Sequence, residues 1–212
     1  MPVIGVKKII ISPKAVFLSI AVFYGFMFVA WAMYPYDFSL ISNNISRLGR
    51  PSYNPDGYIW SFIGTVGSAL LMLGYYLTLP IWKNGDPKTD RGVNLIMGLG
   101  IFGSICLISL AIFNSDFKLA HKILGASYFT SDAILMLVAI YLVLRHPKVD
   151  NALIVVCGLS AALDLIYLQS NAKWSWAEWS TVALSYTAAV WLAFNSQRLQ
   201  NDHLLEEETA AV

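Results

Sequence analysis

Six apolar runs occupy most of this 212-residue chain, and they constrain its fold more than any motif does. A hydrocarbon core about 30 Å thick is crossed by roughly 20 helical residues, and five of the runs reach or approach that length. The sixth is shorter, but the Trp-rich stretch before it can complete it. The runs cover residues 15–34, 58–82, 94–113, 122–144, 152–170 and 180–194. They predict an all-α, polytopic integral membrane protein, a bundle of six transmembrane helices.

The composition agrees with this fold class. Hydrophobic residues make up 57% of the chain and charged residues 13%, against about 25% charged residues in a typical soluble domain. The net charge of +1 gives no field that would attract nucleic acid, so no nucleic-acid partner is expected. We expect a single transmembrane domain over residues 1–197. The polar tail over residues 198–212 is expected to be disordered and cytoplasmic.

The distribution of basic residues predicts the orientation. If the N-terminus is cytoplasmic, nine Lys and Arg residues lie in inner segments and five in outer segments. The nine are Lys7, Lys8, Lys14, Lys83, Lys88, Arg91, Arg145, Lys148 and Arg198, and the five are Arg47, Arg50, Lys118, Lys122 and Lys173. Because basic residues favour the cytoplasmic side, we expect a multi-pass protein of the cell membrane with both termini cytoplasmic. The first run exceeds the 7–15 residues of a signal-peptide core, so we expect a retained signal anchor.

Two carboxylates interrupt the apolar runs, Asp132 in the fourth and Asp164 in the fifth. A charge near the bilayer centre costs at least about 2.5–3.5 kcal/mol, so both should face the bundle interior. The short turn at residues 145–148 predicts that the two helices are antiparallel neighbours. We therefore expect both acids in one polar cavity open towards the outer leaflet. The alternative is that each acid is protonated or hydrogen-bonded to a neighbouring helix and only fixes packing.

Five further polar side chains complete the predicted cavity. Two of them precede an acid by four residues and share its helix face. Two basic ones are expected at the mouth, one from the outer end of helix four and one from the first outer loop. The five are Tyr128, Ser131, Ser160, His121 and Arg47.

The first outer loop, residues 37–57, is long and rich in turn formers. Four apolar residues recur in it at near-helical spacing, which predicts a short amphipathic helix on the outer surface that breaks at Gly49. These four are Leu40, Ile41, Ile45 and Leu48. Residues 54–57 (Asn-Pro-Asp-Gly) form a turn signal before the second helix.

Four polar residues of this loop are counted with the candidate site: Asn44, Ser46, Asn54 and Asp56. Asn44-Ile-Ser46 also fits the acceptor pattern for N-glycosylation.

Small residues at four-residue spacing mark predicted contact faces, because they allow close approach of helix backbones in lipid. Such residues lie in helices two to five. They include Gly64 and Ser68, Gly100 and Ser104, Gly158 and Ala162, and Gly125 with Ser127.

Metal and cofactor chemistry have little support in the sequence. A catalytic zinc site needs about three protein ligands, and of the three histidines only His121 lies near the polar cluster. We found no Ser nucleophile elbow, Gly-rich phosphate loop or nucleic-acid signature. The sequence therefore predicts no metal and no cofactor, and it leaves open whether the protein is an enzyme.

Two segments carry a resemblance to known families. The first is Asn-Ile-Ser-Arg-Leu-Gly at residues 44–49 with Tyr-Asn-Pro at residues 53–55. It resembles the outer loop of a prokaryotic family of small six-helix membrane proteins of unknown function, in which an acidic residue is common at the position of Arg47. The second is the Gly-rich third helix followed by His-Lys-Ile-Leu-Gly-Ala at residues 121–126.

This order also resembles the DRAM-like (damage-regulated autophagy modulator) superfamily. Its eukaryotic members include a protein needed for lipid remodelling of GPI anchors. The resemblance covers roughly residues 15–144. It implies a six-helix bundle with an outward-facing polar first loop, and it supplies no catalytic residues.

Three functions fit these observations. The leading hypothesis is a protein that binds or processes a lipid at a polar cavity open to the outer leaflet, with membrane lipids as its partners. The second is a non-enzymatic assembly or accessory subunit with a membrane-protein partner. The third is a small ion- or proton-coupled transporter that uses the two aspartates as a relay.

Overall fold

The computed structural model describes residues 13–145, 149–170 and 173–210. Every regular element in these residues is helical, which confirms the all-α prediction. The α-helices are α1 (Pro13–Ala32), α2 (Tyr58–Tyr76), α3 (Pro87–Ile112), α4 (Lys118–Arg145), α5 (Ala152–Gln169) and α6 (Ser175–Ala210). Two short 3₁₀ helices lie at Ile45–Arg47 and Leu79–Trp82.

Within the described residues, five helices are long and apolar enough to cross a membrane. They are α1, α2 with the 3₁₀ helix that follows it, α3, α4 and α5. Helix α6 is long enough, but its sequence is less apolar than that of the other five. By length and composition, these five helices are consistent with a membrane protein.

The helices form a closed ring. Each packs against the next one along the chain, and α6 returns to pack against α1. We call the end that holds residues 33–57 and 113–117 the upper end, and the end that holds residues 77–86 the lower end. Helices α4 and α5 are neighbours as expected, although residues 146–148 of their predicted turn lie outside the described residues.

The hydrophobic core is divided unevenly between the two ends. One large cluster fills the lower half and takes side chains from all six helices. In the upper half there are two smaller clusters. One joins α1 to residues 33–57 and includes Phe23 and Leu48, and the other joins α4, α5 and α6 through Phe129, Tyr167 and Ala177. The space between these two upper clusters forms a cavity.

Two of the predicted small-residue faces bring helices into close contact. A Cβ atom at Gly64 would lie 2.8 Å from Cβ of Phe26 on α1, and one at Gly100 would lie 2.3 Å from the Tyr76 ring on α2. By contrast, no neighbouring atom of the described residues lies within 4 Å of a Cβ placed at Gly125. Close backbone approach therefore occurs at α1–α2 and α2–α3, and the start of α4 has free space beside it.

The predicted amphipathic helix in the first loop is wrong. The structure has turns there and a single 3₁₀ helix, Ile45–Arg47. Ile45 and Leu48 are buried in the upper α1 cluster, whereas Leu40 and Ile41 are exposed. The apolar spacing reflects two anchoring side chains that enter the bundle, and no continuous helical face is formed.

The polar tail, residues 198–212, is described as far as residue 210. Helix α6 continues through it as far as Ala210. Leu199, just inside residues 198–212, is buried in the large lower cluster. The start of the tail therefore belongs to the packed bundle.

The contact at Gly100 predicts a difference between two substitutions on the same helix. Gly100→Ala should destabilise the fold by about 1–3 kcal/mol, because its methyl group meets the Tyr76 ring. Gly98→Ala should be neutral or slightly stabilising, since that position is open and alanine favours helix. Thermal unfolding of both variants in detergent measures the difference. Equal unfolding temperatures would contradict the close α2–α3 approach.

Candidate functional site

Residues 33–57, here called the upper loop, cover part of the upper end and are fixed to α1 and α2. The Asn54 side chain is fully buried, and its Nδ2 donates hydrogen bonds to the carbonyl oxygens of Ala30 and Leu48, each at 2.9 Å. This one amide therefore ties the end of α1 to the loop immediately before α2. Asp56, in the same turn, is exposed.

A buried carboxylate on α6 holds the middle of the upper loop. Glu178 accepts a hydrogen bond from the backbone N–H of Ile45 at 3.1 Å and another from the backbone N–H of Ser46. These are the first N–H groups of the 3₁₀ helix Ile45–Arg47. The first N–H groups of a helix have no partner within it, so an acceptor with negative charge is favourable there. The loop is thus joined to a helix that lies far from it in sequence.

Two further contacts reinforce this junction. The Ser175 hydroxyl donates to Oδ1 of Asn44, and Nε1 of Trp179 donates to the carbonyl oxygen of Asn43 at 2.9 Å. The Asn44 amide therefore faces α6. Asn43 to Ser46 together form one continuous seam against the first turn of α6.

A third set of contacts joins the upper loop to the α3–α4 connection. The Asp116 carboxylate accepts from Nε of Arg50 at 2.6 Å, and from the hydroxyl and the N–H of Ser52 at 2.6 and 3.2 Å. The Ser52 hydroxyl and the Arg50 guanidinium hold the pKa of Asp116 below its ordinary value. Arg47 is exposed, with its guanidinium 5.6 Å from the centre of the Tyr53 ring.

A cavity of about 840 Å³ lies beneath the upper loop, between the two upper hydrophobic clusters. Its wall is mostly apolar and takes residues from all six helices and from the upper loop. Phe23 and Met27 of α1 face Phe129 and Tyr167 of the opposite cluster. The cavity is partly open, and its volume falls within the roughly 300–1,000 Å³ of small-molecule sites.

The polar lining of this cavity is concentrated near its upper rim. Three residues of the first turns of α4 take part, and each carries a basic side chain: Lys118, His121 and Lys122. Nδ1 of His121 hydrogen-bonds the carbonyl oxygen of Phe113 at 3.0 Å. Glu178 lines the α6 side. The cavity therefore combines an apolar interior with charged groups at the level of the upper loop.

A second cavity, of about 40 Å³, lies closer to the middle of the bundle and is lined by Asp132, Ser131, Ser185 and Tyr128. Tyr128 also lines the large cavity. Its side chain therefore forms part of the wall that separates the two spaces.

The two predicted acids meet in this central region. The carboxyl groups of Asp132 and Asp164 lie within hydrogen-bonding range of each other, and both residues are buried. Ser185 donates to Oδ2 of Asp132 at 2.6 Å, and Ser160 lies 3.2 Å from the Ser185 hydroxyl. Neither oxygen of Asp164 has an N–H or O–H donor among the described residues. Because two charged carboxylates this close would repel each other, the contact is favourable only when the pair shares a proton.

The structure therefore divides the predicted site residues into separate groups. Asp132 and Asp164 are brought together with three of the others, Tyr128, Ser131 and Ser160. His121 lines the upper cavity instead, three helical turns from Asp132, and Arg47 lies outside both cavities. In the loop, Ser46 lines the large cavity, while Asn44 and Asn54 fasten the loop in place.

Sequence reasoning missed the charged groups of the large cavity. Glu178 stands in the Trp-rich stretch before the sixth apolar run, where no site residue was predicted, and its partner Ile45 lies 133 residues away. Lys118 and Lys122 contributed to the predicted orientation and were not among the residues predicted to line a cavity. Their spacing of four residues at the start of a long helix was the available signal, since it places both on one face.

Among the described residues, no three His, Cys, Asp or Glu side chains come together in a way that would hold a metal ion. Comparison with protein-family models, with curated proteins and with solved structures gives no match for this chain. The family resemblance of residues 15–144 therefore stays a prediction.

The acid pair predicts contrasting effects of two substitutions. Asp164→Asn should leave stability within about 1 kcal/mol of wild type, because its amide N–H replaces the shared proton as donor to Asp132. Asp164→Leu removes that donor and should cost about 1–3 kcal/mol. Thermal unfolding in detergent at neutral pH tests both. Unfolding of Asp164→Asn at a lower temperature than Asp164→Leu would argue against the shared proton.

Proposed function

We propose that this protein is a multi-pass protein of the cell membrane that binds a membrane lipid in the large cavity, with the upper end facing outwards. The observation that carries the proposal is the cavity itself, about 840 Å³ and mostly apolar, at one end of a bundle with membrane-spanning dimensions. The resemblance of residues 15–144 to the DRAM-like superfamily favours the same ligand class.

The depth of the cavity supports a lipid as ligand. Its lining on α4 runs from Lys118 to Phe129, about 16 Å at 1.5 Å per residue. This is close to half of a hydrocarbon core that is roughly 30 Å thick. A lipid from one leaflet would keep its headgroup at the rim while an acyl chain follows the apolar wall.

The lining also supports entry from the side of the bundle. Ile59 of α2 and Ile112 of α3 line the cavity and are at the same time exposed. Part of the opening therefore lies at the upper ends of these two helices. An apolar chain can pass through such an opening without crossing water.

The geometry favours binding over chemical processing. Asp132 and Asp164, the residues most suited to acid–base chemistry, do not line the large cavity. Lipid bound there would meet hydroxyl groups, basic side chains and the hydrogen-bonded Glu178, and none of these forms a nucleophile–base pair in the described residues.

A second candidate function, proton- or ion-coupled transport, has one observation in its favour. The contact between Asp132 and Asp164 lies beside a cavity large enough for a water molecule, with Tyr128 between it and the large cavity. Buried ionisable pairs of this kind carry protons in membrane transporters.

Lipid binding predicts that filling the cavity displaces the lipid. Gly125 lines the cavity with open space beside it, so Gly125→Phe should fit and lower the amount of co-purified lipid several-fold. Gly74→Phe is the control, because Gly74 is exposed on α2 outside the cavity. Native mass spectrometry of detergent-purified protein measures the lipid. Equal lipid retention in both variants would contradict the proposed site, and a stoichiometric protein partner without lipid would favour an accessory subunit.

The proposed orientation predicts which end reacts with an impermeant reagent. A cysteine at the exposed position of Asp56 should react with an impermeant maleimide in intact cells. One at Asn84, exposed at the lower end, should react only after the cells are opened. The native Cys106 and Cys157 are buried and give the background. The reverse labelling pattern would place the cavity on the cytoplasmic side.

A further inference from the structure

We infer that the cavity selects an anionic amphiphile, with its phosphate or carboxylate headgroup bound by Lys118 and Lys122 and its apolar chain running down α4 towards Phe129. This inference rests on the proposed lipid binding and adds the charge of the headgroup to it. It follows from where the charges around the cavity lie and from which of them are already neutralised.

Lys118 and Lys122 lie one turn apart on the same face of α4, and both line the cavity. Both side chains are exposed, so their ammonium groups can remain hydrated at the rim while their stems border the apolar wall. Two ammonium groups at this spacing present up to six N–H donors to a single anionic headgroup.

These two lysines have no acidic neighbour that compensates their charge. In the described part of the chain, ion pairs join Arg50 to Asp116 and Arg145 to Asp86, and neither lysine takes part. Asp116 lies two residues before Lys118, but its carboxylate is occupied by Arg50 and Ser52. The nearest acid in sequence is therefore already paired.

The positive charges of the two lysines are also unfavourable because of their position at the start of α4. The start of a helix carries a partial positive charge, and cations there are unfavourable. The first turn of α4 contains no acidic residue. An anion at the rim would offset both the lysine charges and the helix dipole, whereas a neutral or zwitterionic headgroup would offset less.

The remaining charge in the cavity lies on the opposite side. Glu178 belongs to α6, and its carboxylate accepts hydrogen bonds from the N–H groups of Ile45 and Ser46. Burial raises the pKa of Glu178 to about 7, and its carboxylate oxygens already accept from the upper loop. This wall therefore offers no cation to an anionic headgroup, and the headgroup is directed to the two lysines of α4. From there, the apolar lining continues to Phe129 and gives the chain a path of about 16 Å.

The test measures headgroup selection directly. Full-length protein is incubated in detergent with equal amounts of phosphatidylglycerol and phosphatidylcholine of the same chain length, and bound lipid is counted by native mass spectrometry. We expect wild type to retain phosphatidylglycerol over phosphatidylcholine by about tenfold or more, which corresponds to about 1.4 kcal/mol. The double variant Lys118→Gln with Lys122→Gln should lose most of this preference and still bind lipid.

The matched control removes the same charge at the other end of the molecule. Lys83→Gln with Lys88→Gln lies at the lower end, outside the cavity lining, and should keep the wild-type preference. A preference lost equally in both double variants would attribute the selection to net charge and overturn the site.

Two further outcomes separate this inference from the proposed function. If wild type retains both lipids equally while Gly125→Phe retains neither, the cavity binds lipid and the inferred charge selection is wrong. If wild type retains neither lipid, the proposed function and the inference fail together. A third arm adds inorganic phosphate alone: thermal stabilisation as large as that by phosphatidylglycerol would identify a free-anion site and overturn the amphiphile.

Discussion

The junction between Glu178 and the upper loop is the contact on which the upper half of the molecule depends. One buried carboxylate holds the N–H groups of Ile45 and Ser46 and so fastens residues 33–57 to α6. Ile45 and Leu48 are thereby inserted against Phe23 and Met27, and the roof of the large cavity is formed. Since a buried carboxyl group is costly without hydrogen-bond donors, the loop must place these two N–H groups against Glu178.

The lower half of the bundle provides the rigid base for this arrangement. All six helices contribute to its core, and α2 and α3 are brought close together where the Tyr76 ring lies over Gly100. The upper half has no such common core, since its apolar side chains form two clusters on opposite sides of the cavity. Because the lower half is tightly packed, the bundle stays folded although its upper half contains a cavity.

Much of the fold could be predicted from the sequence because apolar length is a local property. Each run of about 20 apolar residues specifies a helix by itself, and a short connection makes α4 and α5 neighbours. The meeting of Asp132 and Asp164 follows from the same reasoning, because an acid excluded from lipid must face the bundle interior. The cavity charges were not predictable in this way. Glu178 meets Ile45 across 133 residues, and no local pattern encodes that distance.

The two polar regions differ in their surroundings and in the partners of their charged groups. The acid pair lies in the bundle interior, where the Ser185 hydroxyl donates to Asp132 and the two carboxyl groups lie within hydrogen-bonding range of each other. Lys118 and Lys122 lie at the rim, where water or a headgroup can reach them and where no described acid neutralises them. A charge that the protein leaves uncompensated beside an apolar cavity is where a ligand gains binding free energy. For the proposed lipid binding, the upper rim and not the pair of aspartates therefore supplies the charged groups.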